Sequence, residues 1–245
     1  MNICVTGASR GIGAALTRHL LASGHRVWGV ARDENALRVL AAATHDSCFR
    51  WSRVDLFDPA SLTAWGEEMR AAQFEPDMVI LNAAVYLNDM EHGFDLGQAE
   101  KNFNVNLNGA LRCVDLFLPE FLARKSGTFL AIASTAALRP SLLSASYAAS
   151  KAGLAMAFRS LRLRFAPEGV AFKVAYLGPI ATEMWEGKKK HVLIPQADEA
   201  ATALAAFALS RSGTLYYPFL STLILRLTLW MPDRWFAYLS KKFLK

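Results

Sequence analysis

The stretch that decides the fold lies at the amino end of the chain and reads Asn2-Ile3-Cys4-Val5-Thr6-Gly7-Ala8-Ser9-Arg10-Gly11-Ile12-Gly13. Residues 2–6 are typical of a buried strand, and a helical pattern begins at residue 11. Glycines permit positive φ angles and close approach of the backbone, so N–H groups at the start of that helix can face a pyrophosphate. The spacing is G-x-x-x-G-x-G rather than G-x-G-x-x-G. The stretch predicts a phosphate-binding turn, with an ordinary strand-to-helix turn as the alternative.

Apolar runs of strand length alternate with amphipathic runs of helix length along most of the chain. The predicted strands cover residues 2–6, 26–31, 49–54, 78–82, 128–134 and 170–177. The predicted helices cover residues 11–23, 33–43, 58–73, 95–124, 146–166 and 197–210. Continuously apolar strands are typical of a parallel sheet buried between two helical layers. The pattern predicts an α/β fold with a doubly wound parallel sheet, a Rossmann-type three-layer αβα sandwich.

Length and composition favour one folded domain. The chain has 245 residues, of which 53% are hydrophobic and 20% charged, and this excludes a disordered or low-complexity protein. We place the domain at residues 1–213 and a C-terminal extension at 214–245. The first strand begins at residue 2, so we expect no secretory signal peptide. Three widely spaced cysteines, and five histidines without metal-ligand spacing, predict a cytoplasmic location and no metal site.

The C-terminal extension is both basic and strongly apolar. The net charge of the chain is +6, and residues 211–245 hold six cations against one anion, Asp233. Leucines and aromatic residues recur at helical spacing before Pro232, after which a second short helix begins, so the sequence predicts an amphipathic helical hairpin. The apolar run at 215–231 is shorter than the ~20 residues that span a bilayer. We expect contact with an anionic membrane surface at its inner face, rather than with nucleic acid. Closure of a substrate pocket and contact with a second subunit are the alternatives.

Charge at the end of the second strand predicts which dinucleotide binds. A site for NAD usually places an acidic side chain there, to accept a hydrogen bond from the ribose 2′-hydroxyl. Here Ala31 and Arg32 occupy this position. Arg32, together with Arg10 in the glycine turn, can pair with a 2′-phosphate through charge-assisted hydrogen bonds. We therefore expect NADP (NADPH) in preference to NAD, the alternative being that both arginines are solvated surface charges.

Tyr147 and Lys151 lie four residues apart in a predicted helix, which places them on one face, one turn apart. A free tyrosine has a pKa of ~10, and lowering it by ~3 units takes ~4 kcal/mol. One cation ~4 Å away supplies ~4 kcal/mol at an effective dielectric constant of ~20. The lysine can therefore activate the phenol for proton transfer, although such a pair by itself is more often a half-buried tyrosine beside a solvated lysine.

Taken with the glycine turn, this pair makes residues 2–182 resemble the short-chain dehydrogenase/reductase family. The resemblance implies that the catalytic residues are Ser134, Tyr147, Lys151 and Asn106. It also implies cofactor contacts at Gly7, Ser9, Arg10, Gly11, Ile12, Gly13, Arg32, Asp55, Leu56, Asn82, Ala83, Tyr147, Lys151, Gly178, Ile180 and Thr182. Ala84 and Leu177 stand where the family usually has glycine and proline.

The resemblance implies hydride transfer between NADP(H) and a carbonyl or alcohol group. Tyr147 would exchange the proton, Ser134 would hydrogen-bond the carbonyl oxygen, and Lys151 would lower the phenol pKa and bind the ribose. Asn106 would hold a water that relays protons. The resemblance further implies a homodimer formed through the long helices around 102–124 and 146–166.

The chain after residue 182 bears on the substrate. Residues 183–195 combine lysines with apolar side chains and predict a lid over a lipophilic ketone or aldehyde, but the sequence fixes neither its identity, its stereochemistry nor the direction of reaction. One alternative is a membrane-associated protein that binds NADP(H) without turnover. Another is a methyltransferase with a similar glycine-rich loop, which would give Tyr147 and Lys151 no role.

Overall fold

The computed structural model describes residues 1–44, 47–182 and 194–243, and the predicted parallel sheet is confirmed within them. The strands are β1 Asn2–Thr6, β2 Arg26–Ala31, β3 Phe49–Arg53, β4 Met78–Leu81, β5 Gly127–Ser134, β6 Val170–Leu177 and β7 Thr214–Tyr217. They form a parallel sheet in the order β3-β2-β1-β4-β5-β6-β7. The order reverses between β1 and β4. Such a reversal opens a crevice beyond the carboxyl ends of the strands, where α/β folds bind ligands.

Helices cover both faces of this sheet, as expected for a doubly wound fold. They are α1 Gly11–Ala22, α2 Glu34–Thr44, α3 Pro59–Ala71, α4 Leu96–Phe103, α5 Gly109–Ala123, α6 Ala145–Phe165, α7 Ala197–Leu209, α8 Phe219–Leu227 and α9 Asp233–Phe243. One face packs against α1, α2 and α7 and the other against α3, α5 and α6, each through its own hydrophobic core. Strand β1 shows why the strands are apolar throughout. Cys4 belongs to one core and its neighbours Ile3 and Val5 to the other, because successive side chains point to opposite faces.

The helix predicted over 95–124 is helical throughout but not uniform. A wide π-helical turn, Asn104–Asn108, separates α4 from α5. Turns of this kind are frequent at functional sites. At this turn the buried Asn106 side chain faces the backbone of Val85. A hydrophobic pattern with a period of 3.6 residues cannot indicate such a local widening, since one extra residue in a turn barely changes the pattern.

The C-terminal extension begins in the sheet. Strand β7 pairs with β6, and Tyr216 stacks on Tyr176 with ring centroids 4.8 Å apart. The sequence analysis predicted no strand here. The boundary that it placed after residue 213 therefore falls directly before a strand that belongs to the domain's sheet. The two predicted helices follow as α8 and α9, separated by a short turn at Thr228–Trp230. No helix in residues 1–44, 47–182 or 194–243 has the length and hydropathy needed to cross a bilayer.

Substitution of Gly13 tests how tightly the first strand-to-helix turn is packed. A Cβ at this position would lie 2.0 Å from the Gly7 carbonyl oxygen and 2.6 Å from Asn82 Nδ2, so the backbone would have to shift. We expect Gly13→Ala to lower the free energy of unfolding by about 2–3 kcal/mol, measured by urea denaturation. Gly97→Ala is the control, because its Cβ would lie 3.4 Å from Asp95 Oδ1 and alanine favours a helix. Equal urea midpoints for wild type and Gly13→Ala would contradict this description of the turn.

Candidate functional site

A cleft of about 820 Å³ opens at the carboxyl ends of the strands, where the strand order reverses. It brings together nearly all the residues that the sequence analysis selected. Those that line it are Gly7, Ser9, Arg10, Gly11, Ile12, Gly13, Arg32, Asp55, Leu56, Asn82, Ala83, Ser134, Tyr147, Lys151, Gly178, Ile180 and Thr182. Asn106 is the exception and lies buried behind the cleft wall.

The glycine turn forms one end of the cleft. Gly7 and Gly11 have φ angles of +67° and +54°, in the left-handed region that favours glycine. A Cβ on Gly7 would lie 2.8 Å from the Cα of Ala83, so the close approach of β1 and β4 also requires glycine there. Helix α1 begins after Arg10 without a side-chain cap. Its first backbone N–H groups are therefore suited to a phosphate, and the turn fits the pyrophosphate of a dinucleotide.

Asn82 ties the glycine turn to the end of β4. Its Nδ2 donates to the carbonyl oxygens of Thr6 and Gly7, at 3.1 Å each. In return the Thr6 hydroxyl accepts hydrogen bonds from the backbone N–H groups of Asn82 and Ala83. These contacts hold the two central strand ends in register on either side of the crevice.

Arg32 lies at the end of β2, on the rim of the cleft. It is exposed, and within the described part of the chain it forms no ion pair. The neighbouring carboxylate of Asp33 accepts a hydrogen bond from Ala36 N at 3.0 Å, at the start of α2. That carboxylate is therefore engaged with a helix N-terminus. Arg10, in the glycine turn, lines the cleft as well.

The remaining predicted contacts line the two sides of the cleft. Asp55 follows β3, where its carboxylate accepts from Phe57 N, and Leu56 is buried beside it. After β6, the N–H of Gly178 donates to Tyr217 O at 2.7 Å, which connects this segment to β7. Thr182 lies near Gly11, within ordinary contact distance of any Cβ placed there. The cleft is thus enclosed from the glycine turn to the end of β6.

Ser134, Tyr147 and Lys151 meet in the middle of the cleft. Ser134 ends β5, and its hydroxyl hydrogen-bonds the phenol of Tyr147. Lys151, one turn further along α6, is 3% exposed and its Nζ donates to Ile132 O at 2.8 Å. The ring of Tyr86 packs edge-on against that of Tyr147, with centroids 4.9 Å apart. All three side chains line the cleft, so the arrangement could support proton transfer to a bound ligand.

Burial dominates the protonation behaviour of this group. It raises the pKa of Tyr147, the hydrogen bond with Ser134 acts in the opposite direction, and Tyr86 adds to the rise. It also lowers the pKa of Lys151 to about 8. The sequence analysis expected the Lys151 ammonium to depress the phenol pKa, and this effect stays a prediction. In the structure Lys151 Nζ is held by the carbonyl of Ile132, and the buried phenolate would be poorly solvated.

The first turn of α6 is anchored by two residues. Ser144 caps the helix by accepting from Tyr147 N at 3.2 Å. The fully buried carboxylate of Asp89 accepts from Ala145 N at 2.9 Å and from Ser146 N at 2.8 Å. Burial acts to raise the Asp89 pKa, but hydrogen bonds, that of Ser146 foremost, outweigh it and the pKa is lowered. Sequence reasoning missed Asp89 because nothing in the loop after β4 indicates contact with a helix more than fifty residues away.

Two buried asparagines on one helical face connect the loop after β4 to α6. Asn106 Oδ1 accepts from Val85 N at 2.8 Å, while its Nδ2 donates to Val85 O and to the Ser150 hydroxyl. Asn102 makes the same pair of bonds to Leu87 and donates to Ser146 Oγ. Sequence reasoning missed Asn102, although its spacing of four from Asn106 was a usable signal. The amide of Asn106 thus holds the loop, and its implied relay through water stays a prediction.

The far end of the cleft is formed partly by the C-terminal extension. Arg139 and Leu143 line it from the segment before α6, and Leu225 and Phe236 line it from α8 and α9. The predicted lid at 183–195 lies almost wholly outside the described residues. Among the residues that are described, no group of three or more histidine, cysteine or acidic side chains is placed to hold a metal ion.

Comparison with known proteins agrees with this geometry. The family model described as short chain dehydrogenase matches residues 1–192. The chain is 29% identical over 180 residues to the 3-oxoacyl-(acyl-carrier-protein) reductase FabG of Salmonella typhimurium, covering 74% of this chain and 73% of that protein. It is 28% identical over 210 residues to the fatty acyl-CoA reductase of Acinetobacter baylyi, covering 84% and 71%.

Solved structures show the same fold. The closed form of a serine dehydrogenase complexed with NADP+ superposes with a TM-score of 0.80, at 20% identity, over 88% of this chain and 94% of that one. At this identity the likeness speaks for the fold alone. The family match spans most of the chain and includes the whole cleft from the glycine turn to Thr182. The chain therefore belongs to the short-chain dehydrogenase family of oxidoreductases.

Proposed function

We propose that this protein is an NADPH-dependent reductase of lipophilic ketones or aldehydes, or the corresponding alcohol dehydrogenase in reverse. The observation that carries the proposal is the meeting of Ser134, Tyr147 and Lys151 in a cleft whose other end is a glycine turn fitted to a pyrophosphate. A protein that merely bound the dinucleotide would have no use for a buried proton donor beside it.

The chain's own residues would bind and orient the carbonyl and supply its proton. Ser134 and Tyr147 both line the cleft and lie next to each other, so one carbonyl oxygen could accept from both hydroxyls. Because burial raises the pKa of Tyr147, the phenol stays protonated at neutral pH and can act as a general acid. NADPH, when bound, supplies the hydride.

Lys151 would support Tyr147, the proposed proton donor, by exchanging protons with solvent. Its pKa of about 8 lies near neutrality, so its ammonium can exchange a proton with solvent more readily than an exposed lysine can. Its hydrogen bond to Ile132 O fixes the side chain against β5. The same ammonium would hydrogen-bond a ribose hydroxyl of a cofactor bound in the cleft.

The preference for NADP rests on charge at the end of β2. Arg32 and Arg10 both line the cleft there, and the nearest acid, Asp33, is engaged with the start of α2. A guanidinium can hold a phosphate by two parallel hydrogen bonds.

The lipophilic substrate is inferred from the far end of the cleft. Tyr86, Leu143, Leu225 and Phe236 give that end an apolar lining. The similar proteins named above act, by their names, on 3-oxoacyl and fatty acyl groups, which carry long apolar chains. A long-chain aldehyde or ketone suits both observations.

We also propose that the outer face of the extension rests on an anionic membrane surface. Large apolar side chains are exposed along it, namely Phe219, Leu220, Ile224, Leu227, Leu229, Trp230, Trp235, Tyr238 and Leu239. Arg226 and Arg234 are exposed on the same two helices, whose one described acid is Asp233. Apolar and aromatic side chains mixed with cations suit the interface of an anionic bilayer. This location would be the cytoplasmic face of a membrane.

A homodimer through α5 and α6 remains part of the proposal, supported by the chain's resemblance to the family and by the exposed Met156 and Leu163 on α6.

The competing function is a membrane-associated protein that binds NADP(H) without turnover. Oxidation of NADPH in the presence of hydrophobic carbonyl compounds, followed at 340 nm, separates the two.

The phenol of Tyr147 is the first test of catalysis. Tyr147→Phe removes the proton donor and leaves the ring, so we expect kcat with octanal to fall about 10³-fold while NADPH still binds. Stopped-flow and steady-state NADPH oxidation measure the first, and fluorescence titration the second. Tyr216→Phe, at the sheet edge outside the cleft, is the matched control. Retention of most activity by Tyr147→Phe would remove the reductase assignment.

Arg32 tests the choice of cofactor. Arg32→Ala removes a charged hydrogen bond to the 2′-phosphate, so kcat/KM for NADPH should fall roughly 10- to 100-fold while that for NADH changes far less. Arg38→Ala, exposed on α2 and paired with Glu34, serves as the control. Equal efficiency with NADH and NADPH, unaltered by Arg32→Ala, would contradict the proposal.

Leu227 tests the membrane surface. Leu227 is 68% exposed, and Leu227→Glu places a carboxylate on the proposed contact face, so we expect loss of cosedimentation with vesicles containing 30% phosphatidylserine. Val39→Glu on α2, where Val39 is 69% exposed, should sediment like wild type. Failure of the wild type to sediment, combined with a smaller oligomer for Leu227→Glu in light scattering, would show instead that a second copy covers this face.

A further inference from the structure

Arg139 is a buried cation at the far end of the cleft. It follows β5 and the short turn Thr135–Ala137, and it precedes Pro140. Its side chain lines the cleft, yet the residue is only 9% exposed. A buried guanidinium must be paired, because removal of a charge from water without compensation is strongly unfavourable. Its partners therefore reveal what holds this end of the cleft together.

Within the described residues, the partners of the guanidinium come from the C-terminal extension. Nη1 donates to Met231 O at 3.0 Å. Nη2 lies 3.2 Å from Asp233 Oδ1, and Cζ lies 4.3 Å from the centroid of the Phe236 ring. Neither Nε nor Nη2 forms a hydrogen bond in the described part of the chain, so the contact of Nη2 with Asp233 is an ion pair without hydrogen-bond geometry. The charge of Arg139 is compensated when residues 231–236 are in place, and it loses these partners when they move away.

The same short segment forms a wall of the cleft. Phe236 and Leu225 line the cleft, whereas Trp235 and Tyr238 on α9 are exposed. The backbone of α8 packs on β7, but among the described elements α9 has no comparably extensive backbone contact with the sheet or its covering helices. The position of the Phe236 ring therefore depends strongly on its contact with Arg139.

We propose that Arg139 latches α9 over the far end of the cleft and thereby determines how well the site holds a long apolar substrate. Arg139 is a positioning residue in this scheme, since it acts through Phe236 and Leu225. The choice of substrate rests on the proposed function, whereas the latch itself requires no turnover. Asp233 is exposed and its ion pair is screened by salt, so the shielded contacts with Phe236 and Met231 O are the stronger part of the latch.

Substrate length is the property that the latch should affect. The reacting carbonyl would be held by Ser134 and Tyr147, away from α9, so a three-carbon aldehyde needs little from the far wall. An eight-carbon chain gains most of its binding from apolar surface buried against side chains such as Phe236. Displacement of α9 would therefore weaken long substrates much more than short ones.

The first measurement follows the latch directly by hydrogen exchange and mass spectrometry on the full-length protein. Arg139→Met keeps an apolar stem and removes the charge, so amides of α9 should exchange at least tenfold faster while those of α6 keep their rates. Arg139→Lys keeps the positive charge but not the forked guanidinium, so its α9 amides should exchange at rates between those of the wild type and Arg139→Met. Arg226→Met is the matched control, because Arg226 also lies over a ring, at 4.2 Å, but that ring is Tyr216 of β7 and not a residue of α9.

The second measurement uses 1-octanol as a ligand that requires no turnover. Isothermal titration should show at least tenfold weaker octanol binding to Arg139→Met than to wild type. In steady-state kinetics, the loss of kcat/KM should be at least tenfold greater for octanal than for propanal, and it should appear in KM more than in kcat. Asp233→Asn and Phe236→Leu, on the exposed extension, should give smaller changes of the same kind and stand in if Arg139→Met fails to fold.

The outcomes separate the latch from the reductase assignment. Unchanged exchange in α9 for Arg139→Met and Phe236→Leu would overturn the latch. Faster exchange with unchanged octanol binding, or a wild type that does not bind octanol, would overturn its role in holding an apolar substrate. A wild type that binds octanol through the latch but reduces neither aldehyde would leave the latch standing and count against the proposed catalysis.

Discussion

The N-terminal turn of α6 carries Tyr147, and its backbone N–H groups are satisfied by fixed, buried oxygens. The Ser144 hydroxyl accepts from Tyr147 N, and the Asp89 carboxylate accepts from the N–H groups of Ala145 and Ser146. Helix N-terminal N–H groups have no partners within the helix, and burying them unpaired would be costly. Because the partners here are held by the rest of the fold, α6 cannot slide or rotate without losing hydrogen bonds. The position of the phenol relative to β5 follows from this constraint.

The loop after β4 connects this constraint to the sheet. The side chains of Asn102 and Asn106 hydrogen-bond the loop backbone at Leu87 and Val85, respectively. They also donate hydrogen bonds to serine hydroxyls of α6. The π-helical turn places the second of these amides where it can do so. Asp89 lies further along the same loop. The loop, the helical segment with the π-helical turn and α6 therefore form one hydrogen-bonded unit behind the cleft, which supports Ser134 and Tyr147 from the side away from the cleft opening.

Lys151, Lys173 and Arg139 are buried cationic side chains that each hold two elements together, and their partners differ. Lys151 donates to a carbonyl at the end of β5, and Lys173 donates to carbonyls at the end of α7. Both tie a strand or helix end to its neighbour within the domain. Arg139 differs because its partners belong to the extension. The extension thus has an inner surface that lines the cleft and an outer apolar surface. The contacts of the buried Arg139 guanidinium with residues 231–236 link the positions of these two surfaces.

The sequence by itself determined the doubly wound sheet, the glycine turn and a group of residues that meet in the cleft. Alternating apolar strands and amphipathic helices leave few arrangements, and parallel strands bring their carboxyl ends to one edge, so residues such as Gly7, Asn82 and Ser134 must meet there. Local patterns are sufficient for such features because they depend on periodicity and on residues close in the chain.

The tertiary structure alone decided what depends on contacts between distant segments. Strand β7 exists through its pairing with β6, since Thr214–Tyr217 within a longer apolar run has no period of its own. Asp89 and Asn102 act on a helix far along the chain, and burial raises the pKa of Tyr147. Burial and hydrogen-bond partners at long sequence separation are products of packing, and no local pattern of residues encodes them.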